Sequence, residues 1–196
     1  MDSRRAMTAV GELDVGLLRL ARTHGHSSRA EECVRRFSAL GEHAAIWLAM
    51  GTAGVALDPA RRRQWRRARA TVAAAYGLNT AIKLTVRRRR PQLQDLPPLT
   101  STPSQLGFPS AHTTSATAAG VLYSRLGVPG GPLWALVAAF AYSRLYLGVH
   151  YPTDVLAGAA LGTVVGTLAS AHLAEPQTAP STAASWATAT GSRGRA

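Results

Sequence analysis

Five stretches of the chain, roughly residues 43–57, 68–84, 113–126, 132–148 and 155–174, are mostly apolar and close to bilayer-spanning length. A hydrocarbon core takes about 17 to 25 such residues as a helix. With no water there to satisfy the backbone, only helices and closed barrels cross it. The expected fold is therefore all-α, an integral membrane bundle with about five transmembrane helices. Residues 155–173 hold one histidine and no acid or arginine, whereas the second and fourth stretches carry a charge near one end. A soluble helical bundle is the competing reading, because the mean hydropathy is only +0.01 and much of the apolar content is alanine. The arginines and two polar tails lower that average without touching the spans.

A chain of 196 residues fits one domain, and its net charge of +12 calls for an anionic partner: nucleic acid, a membrane surface or a phosphorylated substrate. The single cysteine, Cys33, excludes an internal disulfide and any multi-cysteine metal site. Residues 1–25 lack a continuous apolar core, so no cleaved signal peptide is expected. Six arginines crowd into Arg61–Arg69 between the first two spans, which reads as a cytoplasmic loop with Trp65 as an interfacial anchor. A nucleic-acid role for this cluster is the lesser reading, since basic runs are commonly solvated faces. The loop 85–110 then lies outside, although it too is basic at Arg87–Arg90.

The chain divides into three segments. Residues 1–40 form a surface segment, in which Val10, Leu13, Leu17, Leu20 and Ala21 have the spacing of an amphipathic helix lying on the bilayer. Residues 41–174 hold the spans. Residues 175–196, rich in Ala, Ser, Thr and Pro, are expected to be disordered.

Polar groups at the ends of apolar helices are costly and commonly functional. Tyr76, Asn79, Thr80 and Lys83 share one helical face at the end of the second span, just before Arg87–Arg90 and Pro91. The third span opens with Pro109-Ser110-Ala111-His112, the fourth ends near Ser143-Arg144, and His150-Tyr151-Pro152-Thr153-Asp154 introduces the fifth. If the spans alternate in direction, all these groups meet at one membrane surface. The proline-rich loop 92–108 could form a rim over them. Asp154, Gly158, Gly162, Gly166 and Ser170 follow at intervals of four, a small-residue stripe that lets another helix approach and turns the Asp154 face inward.

A phosphate ester needs cations and amides around its oxygens and a nucleophile in line with the leaving group. Lys83, the sole lysine beside 21 arginines, supplies charge with Arg90 and Arg144. Residues 110–112 sit where a helix begins and its free amides favour an anion. Asp154 can turn back on His150 from four residues on. Taken singly, His112 and His150 could equally cap helices, and Asp154 is an ordinary first-turn acid.

The blocks Lys83-x6-Arg90-Pro91, Pro109-Ser110-Ala111-His112 and Ser143-Arg144-x5-His150-x3-Asp154 resemble the type 2 phosphatidic acid phosphatase (PAP2) superfamily over about residues 40–174. That superfamily also includes vanadium haloperoxidases. The resemblance implies a metal-independent lipid phosphatase with no cofactor, acting on a lipid such as phosphatidic acid or a polyprenyl-linked phosphate. It implies attack by His150 to form a phosphohistidine, with Asp154 orienting the ring and His112 as general acid. Lys83, Arg90, Ser110, the Ala111 amide and Arg144 would hold the phosphoryl oxygens. Ala111 departs from the pattern, where glycine is usual. The segment Gly41-Glu42-His43 further resembles actinobacterial members acting on decaprenyl-linked phosphoribose. The expected setting is the cell membrane, multi-pass, with the site on the extracytoplasmic face and no nucleic-acid partner. A haloperoxidase-like oxidoreductase and a non-catalytic lipid-phosphate-binding protein are the rival readings.

Overall fold

The computed structural model describes residues 3–173, and every named element among them is helical. The order is α1 (Ser3–Thr23), α2 (Ser28–Ala39), α3 (Ala45–Leu57), α4 (Arg62–Val86), α5 (Ala111–Arg125), α6 (Gly130–Tyr146) and α7 (Pro152–Ala171). Short 3-10 turns at Glu42–Ala44 and Pro59–Arg61 lead into α3 and α4. The five expected spans correspond to α3–α7. α4 starts earlier than the apolar pattern because arginine is itself a good helix former. The tail from residue 175, expected to be disordered, lies outside the described residues.

Two features differ from expectation. The N-terminal segment forms two helices rather than one, since Gly25 adopts a left-handed φ of 71° and Ser27 caps α2 by accepting from the Ala30 amide at 3.2 Å. By length and composition, only α7 among the described residues is apolar and long enough to cross a membrane, with a mean hydropathy of 1.5. α3, α5 and α6 have 13, 15 and 17 residues, and α4 opens on arginines.

α5 is the central helix, with Thr113 to Gly120 all buried. α7 lies against it along Gly158, Gly162 and Gly166, as the four-residue stripe predicts. A Cβ at Gly158 would stand 2.6 Å from the Ser110 carbonyl oxygen, and one at Gly162 would overlap the Thr114 carbonyl. Glycine is required there for the two backbones to approach. The interior thus combines small and hydroxylated residues with a cluster around Trp47, Tyr123 and Phe140. Leu78, Leu84, Leu156, Val164 and Leu168 point outward. Large apolar residues on the outside suit an apolar solvent, and small ones between α5 and α7 suit close helix packing there.

The helices alternate in direction. Gln64 Nε2 donates to the Leu173 carbonyl at 3.1 Å and Arg67 to the His172 carbonyl at 2.8 Å, joining the start of α4 to the end of α7. Trp65 is not an exposed interfacial anchor. Its indole N–H donates to Asp58 at 3.1 Å and its ring, buried, lies 5.3 Å from that of Tyr123. Gly54 opposite it has no Cβ to block the ring.

Candidate active site

The end of α4, the start of α5, the end of α6 and the start of α7 converge at the other end of the bundle. Arg87 takes a left-handed φ of 55° and stops α4. The chain then folds back, with the Arg90 amide donating to the Gln105 carbonyl at 2.9 Å and the Gly107 amide to the Arg88 carbonyl at 2.8 Å. The Ser110 amide donates to the Asp154 carbonyl at 2.9 Å, tying the start of α5 to that of α7. Gly148, at φ 73°, turns the chain from α6 toward His150.

These elements enclose a cavity of about 210 Å³. Lys83, Arg90, Ala111, His112, Arg144 and His150 line it, so the structure brings together six of the eight expected site residues on one wall system. Glu42, His43, Tyr76 and Thr80 line the side toward α3 and α4, and Pro103 and Ser104 supply a rim from the loop, as expected of it. Asp154 and Ser110 stand behind this lining, both fully buried. Among the described residues, no group of three histidine, cysteine or acidic side chains is arranged to hold a metal ion.

His150 is held from both sides. Its Nε2 lies 2.9 Å from Arg90 Nη1, and since a guanidinium only donates, Nε2 is the acceptor and the ring proton belongs on Nδ1. Nδ1 faces Asp154 Oδ2 at 3.5 Å. Burial holds the imidazole well below its ordinary pKa, and the charges of Arg90, Arg144 and Lys83 press the same way. Neutral imidazole is the nucleophilic form. Burial also brings the Arg90 guanidinium down to about 10, against the pull of Asp154, which leaves it charged at neutral pH.

Asp154 is itself tightly placed. Oδ2 accepts from the Tyr151 amide at 2.9 Å and Oδ1 from Arg88 Nη1 at 3.0 Å. Arg88 is in turn held by Asp14 of α1 at 2.7 Å, and Asp14 also accepts from the Thr153 amide at 2.9 Å and from its hydroxyl at 2.5 Å. Burial raises the Asp14 pKa, but the bonds from Thr153 and Arg88 outweigh it and hold the carboxyl below its usual range. Arg88 is marked in the sequence only as part of the basic run Arg87–Arg90, with no role of its own. Asp14 offers only the signal of an acid flanked by Leu13 and Val15.

His112 Nε2 lies 3.1 Å from the carbonyl oxygen of Ser38, so Nε2 carries a proton and donates it there. Arg144 Nη1 donates to the Ser38 hydroxyl at 2.5 Å. Lys83 Nζ donates to the Leu106 carbonyl at 3.4 Å, a long bond that leaves most of the ammonium free for an anion. Asn79, on the same face as Lys83, instead donates to Thr114 Oγ1 at 2.9 Å and binds α4 to α5. The hydroxyl of Ser110 caps α5, facing the amide of Thr113 at 3.5 Å and its hydroxyl at 3.1 Å, rather than reaching the cavity. Ala111 has no left-handed φ, so its methyl group is accommodated without backbone strain. His43 does have one, 51°, and its Nδ1 lies 2.9 Å from the Tyr76 hydroxyl.

The sequence matches the profile of the PAP2 superfamily over residues 64–175. It is similar to decaprenylphosphoryl-5-phosphoribose phosphatase of Mycolicibacterium smegmatis, 49% identical over 125 residues, 63% of this chain and 68% of that protein. The Mycobacterium tuberculosis protein of the same name is 46% identical over 135 residues, 68% of this chain and 75% of that one. In three dimensions the chain is similar to the transmembrane PAP2 type phosphatidylglycerolphosphate phosphatase of Bacillus subtilis. The TM-score is 0.69 at 25% identity, covering 84% of this chain and 86% of that one.

Proposed function

The chain belongs to the PAP2 superfamily, and from that premise we propose that it removes the terminal phosphate from a polyprenyl-linked sugar phosphate through a phosphohistidine on His150. It is a phosphoric ester hydrolase of lipid phosphates and a membrane protein. The observation that carries the mechanism is one cavity that brings His112 and His150 together among Lys83, Arg90 and Arg144.

The substrate's phosphoryl oxygens sit among Lys83, Arg90, Arg144 and the α5 amide at Ala111, where charge builds up in the transition state. Ser110 contributes by capping that helix start. His150 Nε2, released by Arg90 as the guanidinium turns to the phosphate, attacks phosphorus. As the N–P bond forms, the bond to the lipid oxygen breaks and His112, which takes up a second proton on Nδ1 with the bound phosphate anion, gives that proton to the leaving oxygen. Asp154 stabilises the positive charge on His150. Water then attacks phosphorus, His112 takes its proton, and the N–P bond breaks to release phosphate.

Glu42 and His43 support the sugar-linked substrate, because a carboxylate on the wall of an anion site suits a hydroxylated head group. The two mycobacterial relatives, named for a phosphoribose lipid, support it further. The outward leucines of α4 and α7, and the exposed Val10, Leu13, Leu17 and Leu20 of α1, support a multi-pass bundle with α1 on the bilayer surface. The arginine cluster at the opposite end supports an extracytoplasmic site. The catalytic unit begins before residue 41, since Ser38 and Asp14 touch it.

The test is phosphate release by purified protein across a panel of phosphatidic acid, phosphatidylglycerophosphate, a polyprenyl diphosphate and a polyprenyl-linked sugar phosphate. His150→Ala and His112→Ala run beside the wild type. Release is expected to be fastest on the sugar phosphate and lost in His150→Ala. Equal release by all three proteins would sink the mechanism, and a preference for another lipid would sink the substrate assignment.

A further inference from the structure

We propose that Ser38, the penultimate residue of α2, is a positioning residue that couples the phosphate-binding Arg144 to the proton donor His112. The inference rests on the roles given to those two residues above. Ser38 is 1% exposed and meets the site with both of its polar groups. Its hydroxyl oxygen accepts from Arg144 Nη1 at 2.5 Å and from the Ser143 hydroxyl at 3.1 Å, while its carbonyl oxygen accepts from His112 Nε2 at 3.1 Å. Residues from two sequence blocks, on α5 and α6, therefore meet on one residue of a helix outside both.

Two consequences follow. A carbonyl cannot donate, so Nε2 of His112 keeps its proton and the ring presents Nδ1 to the leaving oxygen; the catalytic proton moves through Nδ1. The arrangement parallels His150, whose Nδ1 faces Asp154 while Nε2 reacts. The Arg144 guanidinium, 4% exposed, is anchored at one nitrogen and keeps its remaining donors for the phosphoryl group. Without the hydroxyl, a long side chain regains rotamer freedom that phosphate binding must then remove.

The experiment uses the full chain in detergent, with inorganic phosphate titrated by ³¹P NMR. Ser38→Ala, Arg144→Gln and the double variant are compared with wild type. Ser38→Ala is expected to weaken phosphate binding about tenfold, the scale of a hydrogen bond to a charged group. It is expected to add nothing in the Arg144→Gln background. Its hydrolysis of phosphatidic acid and of p-nitrophenyl phosphate, whose leaving group needs no proton, should fall alike, because the carbonyl that holds His112 is backbone and survives the substitution. Should Ser38→Ala not fold, Ser38→Cys, similar in size but a weak acceptor, carries the same expectations. Wild-type phosphate affinity in the Ser38 variant, or losses that multiply in the double variant, would overturn the link to Arg144. A larger loss on phosphatidic acid than on p-nitrophenyl phosphate would overturn the assignment of the hold on His112 to the carbonyl. Wild-type affinity in Arg144→Gln would instead reject the site itself.

Discussion

Nδ1 of His150 stands 3.5 Å from Oδ2 of Asp154, close enough for charge stabilisation but longer than a hydrogen bond. Asp154 spends its shorter contacts on the Tyr151 amide and Arg88, so its place is determined by α7 and Arg88 before it acts on the imidazole. The pair should tighten when His150 gains positive charge during attack. Asp154→Asn, which keeps shape and loses charge, is therefore expected to lower kcat by about 10²- to 10⁴-fold. KM should change little, because the lipid phosphate does not touch the carboxylate. Steady-state kinetics on purified protein check this, and a change confined to KM would contradict it.

The electrostatics of His150 give a pH prediction with a definite sign. Burial, then Arg90, Arg144 and Lys83, lower the imidazole pKa in the folded enzyme, so the neutral nucleophile persists below the ordinary histidine range. The acid limb of kcat/KM is expected below about pH 6.5. Removing one of those cations raises the imidazole pKa. Arg90→Gln should move the acid limb to higher pH while lowering the plateau, since Arg90 also binds phosphate. A pH profile of both proteins on one substrate measures the shift; a limb that stays or moves to lower pH would refute the reading.

Much of the site was legible in the sequence because its residues lie at helix ends. Lys83, Arg90, His112, Arg144 and His150 occupy fixed positions at the ends of apolar runs, and alternation of direction alone brings them to one surface. The inward face of α7 was legible for a similar reason, since Gly158, Gly162 and Gly166 recur every four residues. Ser38 and Asp14 were not legible. They reach the site through the packing of α1 and α2, and no periodicity specifies where a short polar helix docks. Composition marks the Trp65 indole, beside arginines, as interfacial, whereas the gap at Gly54 and the carboxylate of Asp58 draw it inside. The resemblance assigns the Ser110 hydroxyl to phosphate, and in the structure its oxygen accepts from the Thr113 hydroxyl at 3.1 Å, a contact no motif spells out.

The close approach of α5 and α7 supplies a stability prediction. Gly162 faces the Thr114 carbonyl with no room for a Cβ, and the obstructing atom is backbone, which cannot rotate aside. Gly162→Ala is expected to cost about 1–3 kcal/mol, the usual range for overpacking a well-filled interface. In contrast, Gly77, with nothing within 4 Å of a built Cβ, should accept alanine and gain stability, since alanine is the better helix former. Thermal unfolding of the two variants in the same detergent compares them. A Gly162→Ala protein as stable as wild type would mean that the helices stand further apart than described.

Ala111, where the family resemblance leads one to expect glycine, sits at the first position of α5 and on the cavity wall. Glycine is needed at such a place only if φ is positive or if another atom approaches the Cβ position. The described residues with positive φ do not include Ala111, and the residue lines the cavity. The amide, which is the group that matters for an anion at a helix start, is the same in both residues. Ala111→Gly is therefore expected to keep kcat/KM within about threefold of wild type. Any loss would come from the added freedom of a glycine backbone, less than about 1 kcal/mol at a helix end. Ala111→Val should behave differently, because its larger branched side chain intrudes on the volume that the phosphoryl group must fill, raising KM more than it lowers kcat. Kinetics of the three proteins on one lipid phosphate distinguish the cases, and an inactive Ala111→Gly enzyme would show that the α5 start has a different backbone when substrate is bound.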